Sequence, residues 1–254
     1  MILLKSDKEI EKIKIAGKIG AVVLKKLAEF IEPGRTTMDL ENVAVEILLE
    51  NKAKPAFKGY KGFPGNICTS INEEVIHGIP GNRILKEGDI ISIDIGIMVV
   101  NGEEYFADTA ATFAVGKINS EVKKLLETTE KALYLSIEEC KPGNRIGDIS
   151  SRIQSYVESN GFSVVRDFVG HGIGKRIHEE PQIPNFGKQG YGPRIKNGMV
   201  FCIEPMVNIG TSDVEVLEDK WTVVTADRKR SAHFEHTVAI TENGPEILTM
   251  INNG

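Results

Sequence analysis

Two stretches of this chain recur at a nearly constant offset. Glu32-Pro33-Gly34-Arg35-Thr36-Thr37-Met38-Asp39-Leu40 resembles Lys141-Pro142-Gly143-Asn144-Arg145-Ile146-Gly147-Asp148-Ile149, 109 positions on (142 − 33). Leu85-Lys86-Glu87-Gly88-Asp89-Ile90-Ile91-Ser92-Ile93-Asp94 resembles Ile195-Lys196-Asn197-Gly198-Met199-Val200-Phe201-Cys202-Ile203-Glu204, 110 positions on (198 − 88). A repeat this long implies two copies of one supersecondary unit, packed as a pseudo-symmetric pair. Each copy reads helix, Pro-Gly turn, helix, then strands, so the predicted fold class is α/β, in the α+β sense of helices packed on a sheet.

The first helix begins at the capping box Ser6-x-x-Glu9, which satisfies otherwise unpaired backbone N–H groups. Its apolar residues Ile10, Ile13, Ala16, Ile19, Val23, Leu27 and Phe30 recur at helical spacing until Pro33-Gly34. Val122, Leu125, Leu126, Leu133 and Ile137 repeat the pattern before Pro142-Gly143. These stripes are read as core-facing rather than as a groove for a partner.

In Ile90–Val100 the odd positions Ile91, Ile93, Ile95, Ile97 and Val99 are all apolar, whereas Ser92 and Asp94 fall on even ones. A period of two puts the isoleucine row on the face under the helices and Asp94 on the other. Asp108, Glu204 and Glu235 stand in similar strand contexts, so each half supplies two carboxylates. One buried carboxylate is most often half of a salt bridge. Four converging near a pseudo-twofold axis repel one another, and two divalent cations resolve that conflict. All five histidines, His77, His171, His178, His233 and His236, lie in or near these segments. Four carboxylates with one imidazole make a mostly hard donor set, suited to Mn²⁺, Fe²⁺ or Co²⁺ at least as well as to Zn²⁺.

Composition narrows the alternatives. A formal net charge of −5 argues against nucleic acid as a direct partner. Three widely spaced cysteines, with no C-x-x-C, suggest a reducing compartment and no thiolate zinc site. The charged start Met1–Glu9 does not read as a signal peptide, and Ile90–Val100 is interrupted by Asp94, so a cytoplasmic protein without membrane contact is expected. Gly170-x-Gly172-x-Gly174-Lys175-Arg176 lacks the spacing and hydroxyl of a P-loop, His178-Glu179-Glu180-Pro181-Gln182 is not H-E-x-x-H, and no G-x-S-x-G is present.

Seven ordered segments resemble bacterial type I methionine aminopeptidases: Ser70–Pro80, Ser92–Gly96, Ala107-Asp108-Thr109, Gly170–Gly174, His178–Pro181, Ile203-Glu204-Pro205 and Phe234-Glu235-His236-Thr237. The resemblance spans nearly the whole chain. It implies the pita-bread fold, a pseudo-twofold repeat of helices on a curved, mainly antiparallel sheet. Residues 1–254 are then expected to form one catalytic domain, with halves of about 1–115 and 116–254. It further implies that Asp94, Asp108, His171, Glu204 and Glu235 hold two metal ions (Co, Mn, Fe or Zn), Asp108 and Glu235 bridging them. The expected activity is removal of the initiator methionine from nascent polypeptides by a metal-bridging hydroxide. Glu204 would shuttle the proton, His178 would polarise the carbonyl oxygen, and His77 would hydrogen-bond the scissile amide. Tyr60, Phe63, Cys68 and Trp221 would line the methionine pocket, with Phe57 nearby.

The chain departs from the family pattern at Ile177, where many relatives carry Phe, which suggests a wider rim, and at His233, where some carry Gln. His233 is expected to support the metal cluster from behind, and His236 to be a hydrogen-bonded core residue. Arg228-Lys229-Arg230 reads as a solvated turn, with ribosome contact the weaker alternative. A monomer is the simplest assembly. The competing readings are aminopeptidase P or prolidase, which carry an additional amino-terminal domain, a metal-free peptide-binding module, and a dinuclear phosphohydrolase.

Overall fold

The computed structural model describes residues 1–250. Four helices, α1 (Asp7–Phe30), α2 (Thr37–Glu50), α3 (Ser120–Ile137) and α4 (Ile146–Ser159), flank a nine-stranded antiparallel sheet. The cap on α1 forms as its sequence requires, the Ser6 N–H donating to Glu9 Oε2 at 2.9 Å. Its buried stripe is Ile10, Ile13, Ala16, Ile19, Val23 and Leu27.

Both copies of the repeat use the same bonds. Gly34 N–H donates to Leu85 O at 2.9 Å, and Gly143 N–H to Ile195 O at 3.2 Å. The return bonds, Leu85 N–H to Arg35 O and Ile195 N–H to Asn144 O, are both 2.8 Å. Residues 36 and 145, at the starts of α2 and α4, donate their N–H groups to Asp39 and Asp148. Both turn glycines, Gly34 and Gly143, have φ of 98°, which an L side chain adopts only at a cost.

The sheet runs Lys54–Pro55, Ile90–Asn101, Glu103–Ala114, Glu235–Thr241, Val200–Ile203, Gly170–Gly172, Glu179–Ile183. Cys68–Ile71 also pairs with Ile90–Asn101, and Gly244–Ile247 with Glu235–Thr241. The two halves of the chain meet where Glu235 and His236 pair with Ala110 and Thr109. A core lies to either side of that seam. In one, α1 and α2 cover Ile91, Ile93, Ile95 and Ile97; in the other, α3 and α4 cover Phe201, Ile203, Val238 and Ile240. All four isoleucines of the first row are fully buried, each contributing about 1.5–3 kcal/mol of hydrophobic stabilisation.

Candidate functional site

Register explains why the acidic residues converge. Directly opposite residues of paired strands share a face. Asp94 is opposite Ala110, and Ala110 is opposite Glu235, so one row across three strands carries two carboxylates on either side of a methyl group. Asp108 is two residues from Ala110 on the same face, opposite Gly96. His236 pairs with Ile203, and one step further that register sets Glu204 beside Glu235. His171 arrives from the neighbouring strand, Gly170–Gly172.

The glycines on either side of His171 offer no strand period in the sequence, yet the segment is a strand. A Cβ on Gly170 would stand 2.3 Å from Cys202 O, and one on Gly172 would stand 2.2 Å from Glu180 O. The glycines are there because neighbouring strands pass against the backbone, and the tight fit aims the imidazole. His171 Nδ1 donates to Gly172 O at 3.0 Å, which leaves Nε2 with its lone pair facing Glu204 Oε1 at 3.6 Å and Asp108 Oδ2 at 3.9 Å. Burial, then the neighbouring His178, lowers its pKa to about 3, so the ring is neutral and able to ligate.

Two groups of donor atoms close to within 4.8 Å of one another: Asp94, Asp108 and Glu235, and His171, Cys202 and Glu235. Glu235 belongs to both. Asp94 Oδ1, Glu204 Oε1 and Glu235 Oε1 are buried with no hydrogen-bond partner among the described residues. Burial holds the pKa of all four carboxyls above the usual range, and for Asp108, Glu204 and Glu235 the neighbouring carboxylates raise it further. Orphaned carboxylate oxygens beside a neutral imidazole are what a pair of divalent cations would satisfy, and the donor set fits them. Cys202, absent from the sequence-based site, contributes a fully buried thiol beside Glu235.

One cavity of about 190 Å³ contains Asp94, Asp108, His171, Glu204 and Glu235 together with Phe57, Tyr60, Phe63, Cys68, His77, His178 and Trp221. Every residue named from the sequence for metal or substrate therefore faces the same space. The carboxylates occupy one part and aromatic rings the rest. Trp221 meets Phe63 edge-on at 5.1 Å, and Phe57 meets Phe63 at 6.4 Å. His178 stacks on Tyr60 at 5.1 Å, with 18° between planes, and lies 4.2 Å from His171. His77 is held edge-on to Phe168 at 5.8 Å and to Trp221 at 6.4 Å. It also has φ of 60°, a backbone strain of about 1–3 kcal/mol for a non-glycine residue. Burial lowers the pKa of His77 and His178 to about 4 each, so both rings are neutral at physiological pH.

Lys61, Ile76, Phe168 and Val169 also line the cavity and were not singled out from the sequence. Ile177 is instead packed into the core beneath α1 and α2. His233 is buried with neither ring nitrogen hydrogen-bonded among the described residues. His236 lies apart from the cavity, its Nδ1 2.8 Å from Thr249 Oγ1 and its Nε2 3.3 Å from Tyr134 Oη. In the basic run, Arg228 pairs with Glu215 at 2.8 Å, and Arg230 is bound to Asn72 and Gly88 O. No helix among the described residues is long and apolar enough to cross a membrane.

A half-barrel of antiparallel strands with paired helices outside and a two-cluster carboxylate site within defines a pita-bread metallopeptidase. The model of metallopeptidase family M24 matches residues 11–242, and the chain belongs to that family. Within it, the chain is of the type I methionine aminopeptidase kind, as its relatives show. It is 53% identical to the methionine aminopeptidase of Clostridium perfringens over 251 residues, covering 99% of this chain and 100% of that one. It is equally similar, at 53% and the same coverage, to methionine aminopeptidase 1 of Bacillus subtilis. The crystal structure of a methionine aminopeptidase from Thermotoga maritima superposes with a TM-score of 0.96 at 49% identity, covering 99% and 100% of the two chains. A prolidase from Pyrococcus horikoshii shares the fold alone, with a TM-score of 0.79 at 23% identity over 65% of its length.

Proposed function

We infer that this chain removes the amino-terminal methionine of polypeptides by metal-dependent hydrolysis. The observation that carries this reading is a single cavity in which orphaned carboxylates adjoin an aromatic pocket. Asp94, Asp108, His171, Glu204 and Glu235 would hold two divalent ions. Bound there, the ions would neutralise the carboxylates and supply the Lewis acidity that makes hydroxide available from water near neutral pH.

The chain's own groups do the rest. Glu204 takes the proton from the attacking water and returns it to the leaving amine. His178, neutral and stacked on Tyr60, donates its ring N–H to the scissile carbonyl oxygen, where charge develops. His77, also neutral, accepts the hydrogen bond of the scissile amide. Tyr60, Phe63, Cys68 and Trp221 receive the methionine side chain, whose polarizable thioether suits ring edges and a thiol.

Residues 1–254 act as one catalytic unit with halves 1–115 and 116–254, and the protein works as a monomer. The unpaired, buried Cys68, Cys140 and Cys202 support a cytoplasmic setting, where nascent chains leaving the ribosome are the substrate pool. The test is cleavage by metal-free protein reloaded with Mn²⁺, Co²⁺, Fe²⁺ or Zn²⁺. Metal-dependent release of Met from Met-Ala-Ser, with little attack on Ala-Ala-Ser or Leu-Pro-Ser, is the expected outcome. Preferential cleavage of Leu-Pro-Ser would move the protein to the aminopeptidase P class, and no cleavage would leave a binding module.

A further inference from the structure

We propose that Lys61 is a specificity-determining residue, favouring substrates with an acidic side chain at the third position; this rests on the aminopeptidase reading above. Tyr60–Gly62 is a single 3-10 turn closed by two backbone bonds, Gly59 N–H to Phe63 O and Phe63 N–H to Tyr60 O, both 2.9 Å. Lys61 sits at its tip with φ of 48°, between Gly59 at 80° and Gly62 at 90°. The turn sends Tyr60 and Phe63 into the cavity wall and leaves Lys61 exposed at the rim.

The placement matters because of what shares the Tyr60 ring. The Lys61 ammonium lies 5.4 Å from the ring centroid, and His178 stacks on the same ring at 5.1 Å. Lys61 therefore stands beside the group that holds the scissile carbonyl, and its charge helps to depress the His178 pKa after burial. Lys61 forms no salt bridge among the described residues.

With methionine seated against Phe63, Cys68 and Trp221, the polypeptide leaves past His178 and Tyr60. Successive side chains of an extended peptide alternate and advance about 3.3 Å each. The third side chain thus points to the same side as the methionine, the side of the Tyr60–Phe63 turn, about 5 Å beyond the scissile bond and within reach of a lysine at the rim, while the second faces the opposite wall. An exposed ion pair at this edge is worth about two- to fivefold in kcat/KM. It is made equally in ground and transition states, so it should be read mainly in KM.

The experiment compares Met-Ala-Glu, Met-Ala-Gln and Met-Ala-Lys with Mn²⁺-loaded wild-type, Lys61→Gln and Lys61→Glu proteins, each at low and high NaCl. Substrate ratios within each protein are compared, so a general loss of activity in a variant cancels. In the wild type, Met-Ala-Glu should exceed Met-Ala-Lys by about two- to fivefold at low salt, with the gap narrowing at high salt. Lys61→Gln should level the ratio and Lys61→Glu should invert it. Equal kcat/KM for the three peptides in the wild type, or a preference that survives in Lys61→Glu, overturns the proposal. Absence of Met release from Met-Ala-Gln by the wild type would instead overturn the aminopeptidase reading itself.

Discussion

Each histidine at the cavity is held in one state by a different device. His171 is fixed by a carbonyl on one nitrogen, His178 by a stacked ring, and His77 by two edge-on aromatics and a strained backbone. All three are neutral at physiological pH for the same reason, burial, yet they are suited to ligate, donate and accept respectively. His178 is the one expected to act only as charge develops on the carbonyl oxygen. His178→Ala should therefore lower kcat by about 10²–10³-fold with KM little changed, as steady-state kinetics on Met-Ala-Ser would show. A change confined to KM would reassign it to ground-state binding. Metal content measured on the same sample checks that the substitution leaves the neighbouring His171 ring, 4.2 Å away, undisturbed.

At the scale of elements, long strands were readable and short ones were not. Ile90–Asn101 declares its two faces by alternation, which sets Asp94 opposite the isoleucine row. The repeat did the same for the helices and their turns. Gly170–Gly172 has three residues and no period to read; it is a strand only because Glu179–Ile183 and Val200–Ile203 lie against it. Phe168 and Lys61, which line the cavity, and Cys202, which lies beside Glu235, escaped for a related reason, since the local pattern of each does not reveal what its segment packs against. The fit around His171 is testable. Gly170→Ala forces a methyl group against Cys202 O and should destabilise the fold by about 1–3 kcal/mol, seen as a lower denaturant midpoint. Metal affinity should fall with it. Gly81→Ala, where nothing lies within 4 Å of the new carbon, should leave both close to wild type.

For the whole molecule, the seam between halves is where charge and stability meet. The folded-state pKa values of Asp94, Asp108, Glu204 and Glu235 are raised above their unfolded values. Without metal, the folded protein therefore holds protons that the unfolded chain releases, and stability present below about pH 4 is lost as pH rises toward neutrality. Cations must displace those protons, so the rise in Tm on adding Mn²⁺ should be greater at pH 8 than at pH 5. Calorimetric scans of EDTA-treated and Mn²⁺-loaded protein decide this, and an equal shift at both pH values would contradict it. The paired backbone bonds around Gly34 and Gly143 bear on ancestry as well. A peptide of half this length, meeting its own copy about a twofold axis, would present equivalent acidic positions from each copy at the junction. Duplication into one gene would have freed those positions to diverge, and the present chain carries aspartates from one half and glutamates with an imidazole from the other.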